Sequence, residues 1–238
     1  MNQILPLLVA LTMMTSCSNP AIKSAPEAEN TSTAKEFKIS LAQWSINRLV
    51  FTGQADPMDF AATAKDLGYT GLEYVSQLYV SDQVNYPMKD QGLDSILKVL
   101  KQRSDALGMQ NVLIMVDGEG DLSENDESVS QQAVENHKKW VDAAAFLGCK
   151  AIRVNLFGAS DRQEWAANSI RSLAALSTYA AEQNISILVE NHGGHSSDAK
   201  LLVQVMEGVG MANCGTLVDF GNFCMRREND ARWGAPCV

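Results

Sequence analysis

One unit recurs along the chain from Asp56 onward: a helix-length amphipathic run that closes on Leu-Gly or a close relative, a short turn, and then an apolar strand. Asp66-Leu67-Gly68 leads into Gly71-Leu72-Glu73-Tyr74-Val75, Ala106-Leu107-Gly108 into residues 111–116, and Phe146-Leu147-Gly148 into residues 151–156. Gln183-Asn184 then precedes the run from Ser186 to Glu190, and Val209-Gly210 precedes Cys214 to Asp219. Ile39 to Ser45 reads as the strand that opens the series. Gly or Asn at each junction suits the left-handed backbone that stops a helix. The intervening runs carry apolar stripes, Leu93, Ile96, Leu97, Leu100 and Leu107 in one and Val134, Trp140, Val141, Ala144 and Leu147 in another. Strand and helix alternating at this period imply parallel strands, which cannot be joined by hairpins.

Two layouts satisfy that pattern, an open doubly wound sheet and a closed (β/α)8 barrel. No G-x-G-x-x-G or G-x-x-x-x-G-K-[ST] follows the first strand, so a phosphate-cradling nucleotide site has no support. Polar residues gather instead at the ends of many strands: Trp44-Ser45, Glu73, Arg153-Asn155, Glu190-Asn191-His192 and Asp219. A barrel collects its site from many strand ends at one mouth, so the barrel is the expected fold. At 238 residues with 46% hydrophobic and 20% charged content, the chain is long enough for one good-sized globular domain. A net charge of −9, without clustered Lys and Arg, argues against a nucleic-acid partner.

The most informative stretch is Ile187-Leu188-Val189-Glu190-Asn191-His192-Gly193-Gly194, an apolar run ending in a carboxylate, an amide, an imidazole and two glycines. A milder version follows at Gly215-Thr216-Leu217-Val218-Asp219-Phe220-Gly221-Asn222. Neighbouring strands lie about 5 Å apart, so Glu190 and Asp219 at two consecutive strand ends are able to share one ion. Each has a plain alternative. Glu190 is placed to form a barrel-interior salt bridge with Arg153, and Asp219 before Gly221-Asn222 is also good turn chemistry. Arg153 reads equally as a neutraliser of Glu190 and as a clamp for an oxygen-rich substrate. His192 reads as a substrate-hydroxyl contact or a structural loop residue, His195 as a solvated loop residue, and His137 as a surface side chain on a helix. The acidic run from Asp117 to Glu127 reads as a solvated loop, since it lacks the spacing of an EF-hand.

With these motifs in view, the chain resembles the sugar phosphate isomerase/epimerase family, the xylose isomerase-like TIM barrels, over roughly Phe37 to Phe223. Val189-Glu190-Asn191-His192-Gly193-Gly194 and Val218-Asp219-Phe220-Gly221-Asn222-Phe223 carry the resemblance, with weaker support from Ala42-Gln43-Trp44-Ser45 and Gly71 to Val75. The resemblance implies a divalent metal (Mn, Mg, Co or Zn), a small-molecule sugar substrate, and proton movement between sugar carbons through an enediolate. It implies that Glu190 and Asp219 are the first two of four metal ligands and that Glu190 also assists proton transfer. It also implies that Glu73 and Trp44 line the pocket, Trp44 having core packing as its alternative. The histidine and acid that complete the family's ligand set have no counterpart here. About six βα units are visible where a closed barrel takes eight, so the expectation is a partial barrel over residues 37–223 with an irregular tail over 224–238. The alternatives are a non-catalytic sugar-binding or remnant lipoprotein, and a lyase or hydratase acting on oxidised sugars.

The amino end adds an expectation about location. Ile4 to Met14 is apolar but too short to span a bilayer, and Met14-Thr15-Ser16-Cys17 closes it on small residues and a cysteine. Residues 1–17 resemble a bacterial lipoprotein signal with Cys17 as the lipidated residue, although Met1-Asn2-Gln3 lacks the usual positive charge. Residues 18–36, rich in Ser, Thr, Ala, Pro and Glu, read as a flexible tether, so the domain is expected to be exported and held at a membrane by its lipid alone. Cys149, Cys214, Cys224 and Cys237 match no zinc or dense disulfide spacing, and Cys149 reads as a small buried residue.

Overall fold

A computed structural model describes residues 37–80 and 89–222. The signal with Cys17, the tether 18–36 and the tail 224–238 lie outside the described residues. Within the unit that begins at Phe37, β1 (Ser40–Ala42), β2 (Gly71–Val75), β3 (Gln110–Met115), β4 (Ala151–Val154), β5 (Ser186–Glu190) and β6 (Cys214–Leu217) form one parallel sheet in strict sequence order. That order separates the two layouts. A doubly wound sheet reverses its strand order at a switch point, whereas a sheet whose every strand lies beside its predecessor curls in one direction. The fold is therefore six consecutive strands of a (β/α)8-type barrel. Helices α1 (Asn47–Phe51), α2 (Phe60–Asp66), α3 (Gln77–Val80), α4 (Leu93–Leu107), α5 (Glu127–Leu147), α6 (Arg162–Ala181) and α7 (Ala199–Val209) alternate with the strands.

The junctions obey the expected chemistry. Gly108 ends α4 at φ 67°, and Asn184, at φ 58°, is the one non-glycine residue with positive φ among those described. At the other ends, Asp126, Asp161 and Asp198 accept the first free backbone N–H groups of α5, α6 and α7. β1 is shorter than expected, because Gln43–Ile46 turns into a 3-10 segment. The physical reason is Gln43, fully buried, whose amide donates to Pro57 O (3.2 Å) and Tyr79 Oη (2.6 Å) and accepts from Val75 N (3.0 Å). This side chain takes the place of the next ladder bond to β2.

Strand alternation sorts the two faces. Ile152 and Val154 pair with Ile187 and Val189, all at 0% exposure, while Arg153 and Glu190 alternate with them and face the other way, into the barrel. On the helix-facing side, Asn111 accepts from Tyr74 Oη (2.8 Å) and donates to Ser104 Oγ (3.1 Å) and Leu147 O (2.9 Å), tying β2 and β3 to α4 and α5. Burial pushes the Tyr74 phenol up, and pushes the Cys149 thiol up to about 12, so Cys149 is an inert core residue as expected. His137 corrects its expectation. It is buried on α5 with Nδ1 2.7 Å from Ala133 O, and burial pushes its pKa down. Its face of α5 is covered by the segment after β3, where Glu119 accepts from Trp140 Nε1 at 2.7 Å and, through its carbonyl, from Asn136 Nδ2 at 3.1 Å.

Asn111→Val is expected to destabilise the chain by about 1–3 kcal/mol, since it strips the buried Leu147 carbonyl of the Asn111 donor and leaves the Tyr74 phenol with Ser104 in place of Asn111. Urea unfolding measures it; an unchanged midpoint would show that these bonds carry nothing.

Candidate active site

The carboxyl ends of β3, β4, β5 and β6 bring together most of the polar residues singled out from the sequence. Register places Arg153 opposite Met115 and Leu188, and Glu190 opposite Leu217, with Asp219 two residues further along. Two residues is one strand repeat, so the chain leaves β6 with Asp219 on the face that Glu190 occupies.

Glu190 is 7% exposed, and Nε of Arg153 stands 2.8 Å from its Oε2. The N–H of Nε is not directed at that oxygen, so the contact is an ion pair without a hydrogen bond. The better-made bonds of the guanidinium go to Asp117: Nη1 donates to Oδ1 at 2.8 Å and Nη2 reaches Oδ2 at 3.5 Å. Asn155 Nδ2 donates to the same Oδ1 at 2.9 Å. The salt bridge expected as one alternative for Glu190 and Arg153 is present at the carboxyl ends of β4 and β5. Burial pushes the Glu190 carboxyl up; Arg153 and His192 pull against it, while the charges of Asp219 and Asp117 add to the rise.

Asp219 is half-buried and shapes a turn. Oδ1 accepts from Gly221 N (2.6 Å) and Asn222 N (3.2 Å), and Oδ2 from Asn222 Nδ2 (3.0 Å). Its backbone is clamped by Asn191, whose amide donates to Asp219 O at 2.8 Å and accepts from Asp219 N at 2.7 Å. The clamp extends the β5–β6 pairing past the last ladder bond and sets where Asp219 emerges.

His192 is exposed and packs its ring edge to face against Phe157 at 5.9 Å between centroids. The loop behind it is fixed by Ser196 Oγ and Ser197 Oγ, which accept from His192 N and Gly193 N at 2.9 Å each. His195, expected to be solvated, is half-buried, with Nε2 2.8 Å from Ser160 O. Trp44 is 45% exposed at the carboxyl end of β1 and packs edge to face on Phe51, so core packing does not account for it. Glu73 sits in the middle of β2 and accepts from Ser40 Oγ of β1, deeper in the sheet than the strand ends.

Sequence reasoning missed Asp117, Phe157 and the built character of the rim. The acidic run read as solvated is pinned: Asp117 holds Arg153, Glu119 holds Trp140, and Asp121 Oδ2 accepts from Phe157 N (2.8 Å) and Gly158 N (2.6 Å). Gly158 approaches Ser123 so closely that a Cβ there would fall 2.3 Å from its backbone. The available signal was the phase of the acids, since Asp117 lies one strand repeat past Met115, the β3 residue opposite the inward-facing Arg153.

With this geometry established, residues 61–236 match the family model described as xylose isomerase-like TIM barrel. The chain belongs to that family. No curated protein sequence matches it at a significant level. Among solved structures, a D-psicose 3-epimerase shares 12% identity over 81% of this chain and 67% of that one, with a TM-score of 0.62. A 3-keto-D-glucoside 4-epimerase from E. coli shares 14% over 73% and 67%, TM-score 0.59. The IOLI protein, solved with a zinc atom, shares 15% over 79% and 64%, TM-score 0.62. At these identities the likeness is one of fold. The chain spans 58–67% of the length of the structures it resembles here.

Among the described residues, no three His, Cys, Asp or Glu side chains gather about a common ion position. Two of the carboxylates there, Glu190 and Asp219, are donors of the type a divalent cation takes. Asp117 and Glu190 both pair with the guanidinium of Arg153, the charge of Asp219 acts on Glu190 from β6, and Glu190 accepts no hydrogen bond among the described residues. Carboxylate oxygens are hard donors suited to Mg and Mn and also used by Zn.

The raised Glu190 carboxyl has a consequence for stability. A carboxyl lifted above its unfolded value favours folding below the unfolded pKa, and that contribution is lost as pH rises through the folded pKa. Glu190→Gln removes the loss while Asp117 keeps Arg153 paired. The variant's stability relative to wild type is therefore expected to increase from pH 4 to pH 7 by urea unfolding, and a flat or opposite trend would contradict the assignment.

Proposed function

We propose that this xylose isomerase-like chain is a sugar isomerase or epimerase that moves a proton between sugar carbons with Glu190 as the base. The observation that carries the reading is the state of Glu190: inward-facing, buried, raised in proton affinity and free of hydrogen bonds among the described residues. A carboxylate that accepts no hydrogen bond keeps its lone pairs for a substrate proton or a cation.

Glu190 and Asp219 are the residues that would hold a divalent cation, whose role when bound is to set positive charge against a developing enediolate. Glu190 takes the proton from the carbon beside the sugar carbonyl and returns it to the neighbouring carbon on the same face, while the hydroxyl proton passes to the former carbonyl oxygen; inversion at a single carbon would need a second acid on the opposite face. Arg153 supports the anionic state of Glu190. The exposed pair Phe157 and His192, one over the apolar ring face and the other toward hydroxyls, is suited to orient the sugar at the rim. Similarity in fold to D-psicose 3-epimerase and 3-keto-D-glucoside 4-epimerase favours an unphosphorylated sugar. An exported enzyme would meet the same class of substrate. The amino-terminal reading adds that the domain is exported and tethered through lipid on Cys17; among the described residues no helix is long and apolar enough to cross a membrane.

Two experiments test this. Incubated with Mn2+ and free ketohexoses in D2O, the chain is expected to exchange deuterium into the substrate, and Glu190→Gln to slow exchange by about 100-fold or more; exchange at the wild-type rate would remove Glu190 as base, and none in wild type would favour a sugar-binding protein. Labelled palmitate is expected on the expressed full chain and to be lost in Cys17→Ser; label retained in that variant, or none in wild type, contradicts the anchor.

A further inference from the structure

The connection that follows β4 is held from two sides while one of its side chains stays out. From the β3 side, Asp121 Oδ2 accepts from Phe157 N at 2.8 Å and from Gly158 N at 2.6 Å, and Ser123 O accepts from Ala159 N at 3.0 Å. From the β5 side, His195 Nε2 stands 2.8 Å from Ser160 O. Leu156 and Ala159 are buried, yet Phe157 between them is 56% exposed. A single exposed apolar side chain is ordinary on a protein surface. What sets Phe157 apart is the fixed backbone beneath it and its place beside His192 at the carboxyl end of β4.

Asp121 is the centre of that fixing. Its Oδ1 accepts from Ser123 N at 2.8 Å and from Ser123 Oγ at 2.6 Å, so two segments of the chain meet on one carboxylate. Hydrogen bonds from backbone N–H groups to an ionised acceptor are among the stronger polar contacts. Two consecutive N–H groups bound to one oxygen set the backbone direction at Phe157, and with it the direction in which the ring leaves the chain. The ring then meets His192 edge to face at 5.9 Å between centroids, and the backbone of His192 is itself held by Ser196 Oγ. A ring already in place before a ligand arrives avoids the ordering cost of binding. Resting on the reading of the rim as the surface that orients a sugar, we propose that Asp121 is a positioning residue: through the N–H groups of Phe157 and Gly158 it holds the Phe157 ring opposite His192, ready for the apolar face of the sugar. Asp121 acts through Phe157 and does not itself touch substrate.

Two readouts on the full chain test the route. The first needs no ligand: the ring protons of His192 feel the ring current of Phe157, and Phe157→Leu gives their NMR shift without it. Asp121→Ala is expected to move the His192 signals at least half of the way to that value, and unmoved signals overturn the proposal. The second is calorimetric titration with D-fructose. Asp121→Ala and Phe157→Leu are each expected to weaken binding about three- to tenfold, and Asp121→Ala made on Phe157→Leu to matter by less than about twofold, because the ring through which it acts is gone. Equal weakening in both backgrounds would overturn the proposal. Binding of D-fructose that is unchanged in Phe157→Leu, or absent in wild type, would overturn the rim reading as well, and the His192 signals tell the two failures apart. If Asp121→Ala does not fold, Asp121→Asn carries both comparisons with the same outcomes, since an amide offers one acceptor oxygen where the carboxylate offers two.

Discussion

A buried guanidinium between two carboxylates is the interaction on which the rest of this site depends. Arg153 could not sit inside a parallel barrel alone, because an enclosed charge without a partner is too costly. Asp117 from the end of β3 and Glu190 from the end of β5 solve that problem from either side, and β4 supplies the residue between them. Three neighbouring strands are thus joined at their carboxyl ends by charge as well as by backbone ladder. The apolar face behind them, Ile152, Val154, Ile187 and Val189, is sealed by helices and fixes the register that makes the meeting possible.

Much of the fold was legible because the physics that makes it is local. Leu-Gly and Gln-Asn endings predict helix stops, and Gly108 and Asn184 carry the left-handed φ that such stops require. β2 and β5 occupy the residues expected of them, and sequence order in the sheet follows from short repeated crossovers. β1 fell short for a non-local reason, since a strand reading of Ile39 to Ser45 does not anticipate the Gln43 amide reaching Pro57, Val75 and Tyr79.

The site divided along the same line. Glu190 and Arg153 are visible as polar residues at strand ends, and their contact follows from adjacent strands in phase. Asp117 was hidden in an acidic run whose composition resembles any solvated loop, and only the packing of that run against α5 and Arg153 distinguishes it. His137 was misplaced for the related reason that the covering segment comes from outside its own helix. Asp219 shows the turn chemistry that was one of its two readings, capping the backbone of Gly221 and Asn222 one strand repeat beyond the residue that pairs with Glu190.

Membership of the xylose isomerase-like family fixes the barrel, while the proposed chemistry rests on Glu190 and Asp219 meeting at one cation. Anomalous diffraction at the manganese edge, from crystals of the chain grown with Mn2+, tests that meeting most directly. The expected result is a peak about 2 Å from a carboxylate oxygen of each residue, with Arg153 still seated on Asp117. A peak elsewhere, or carboxylates that remain on Arg153 and on the Asn222 turn in saturating Mn2+, would contradict it.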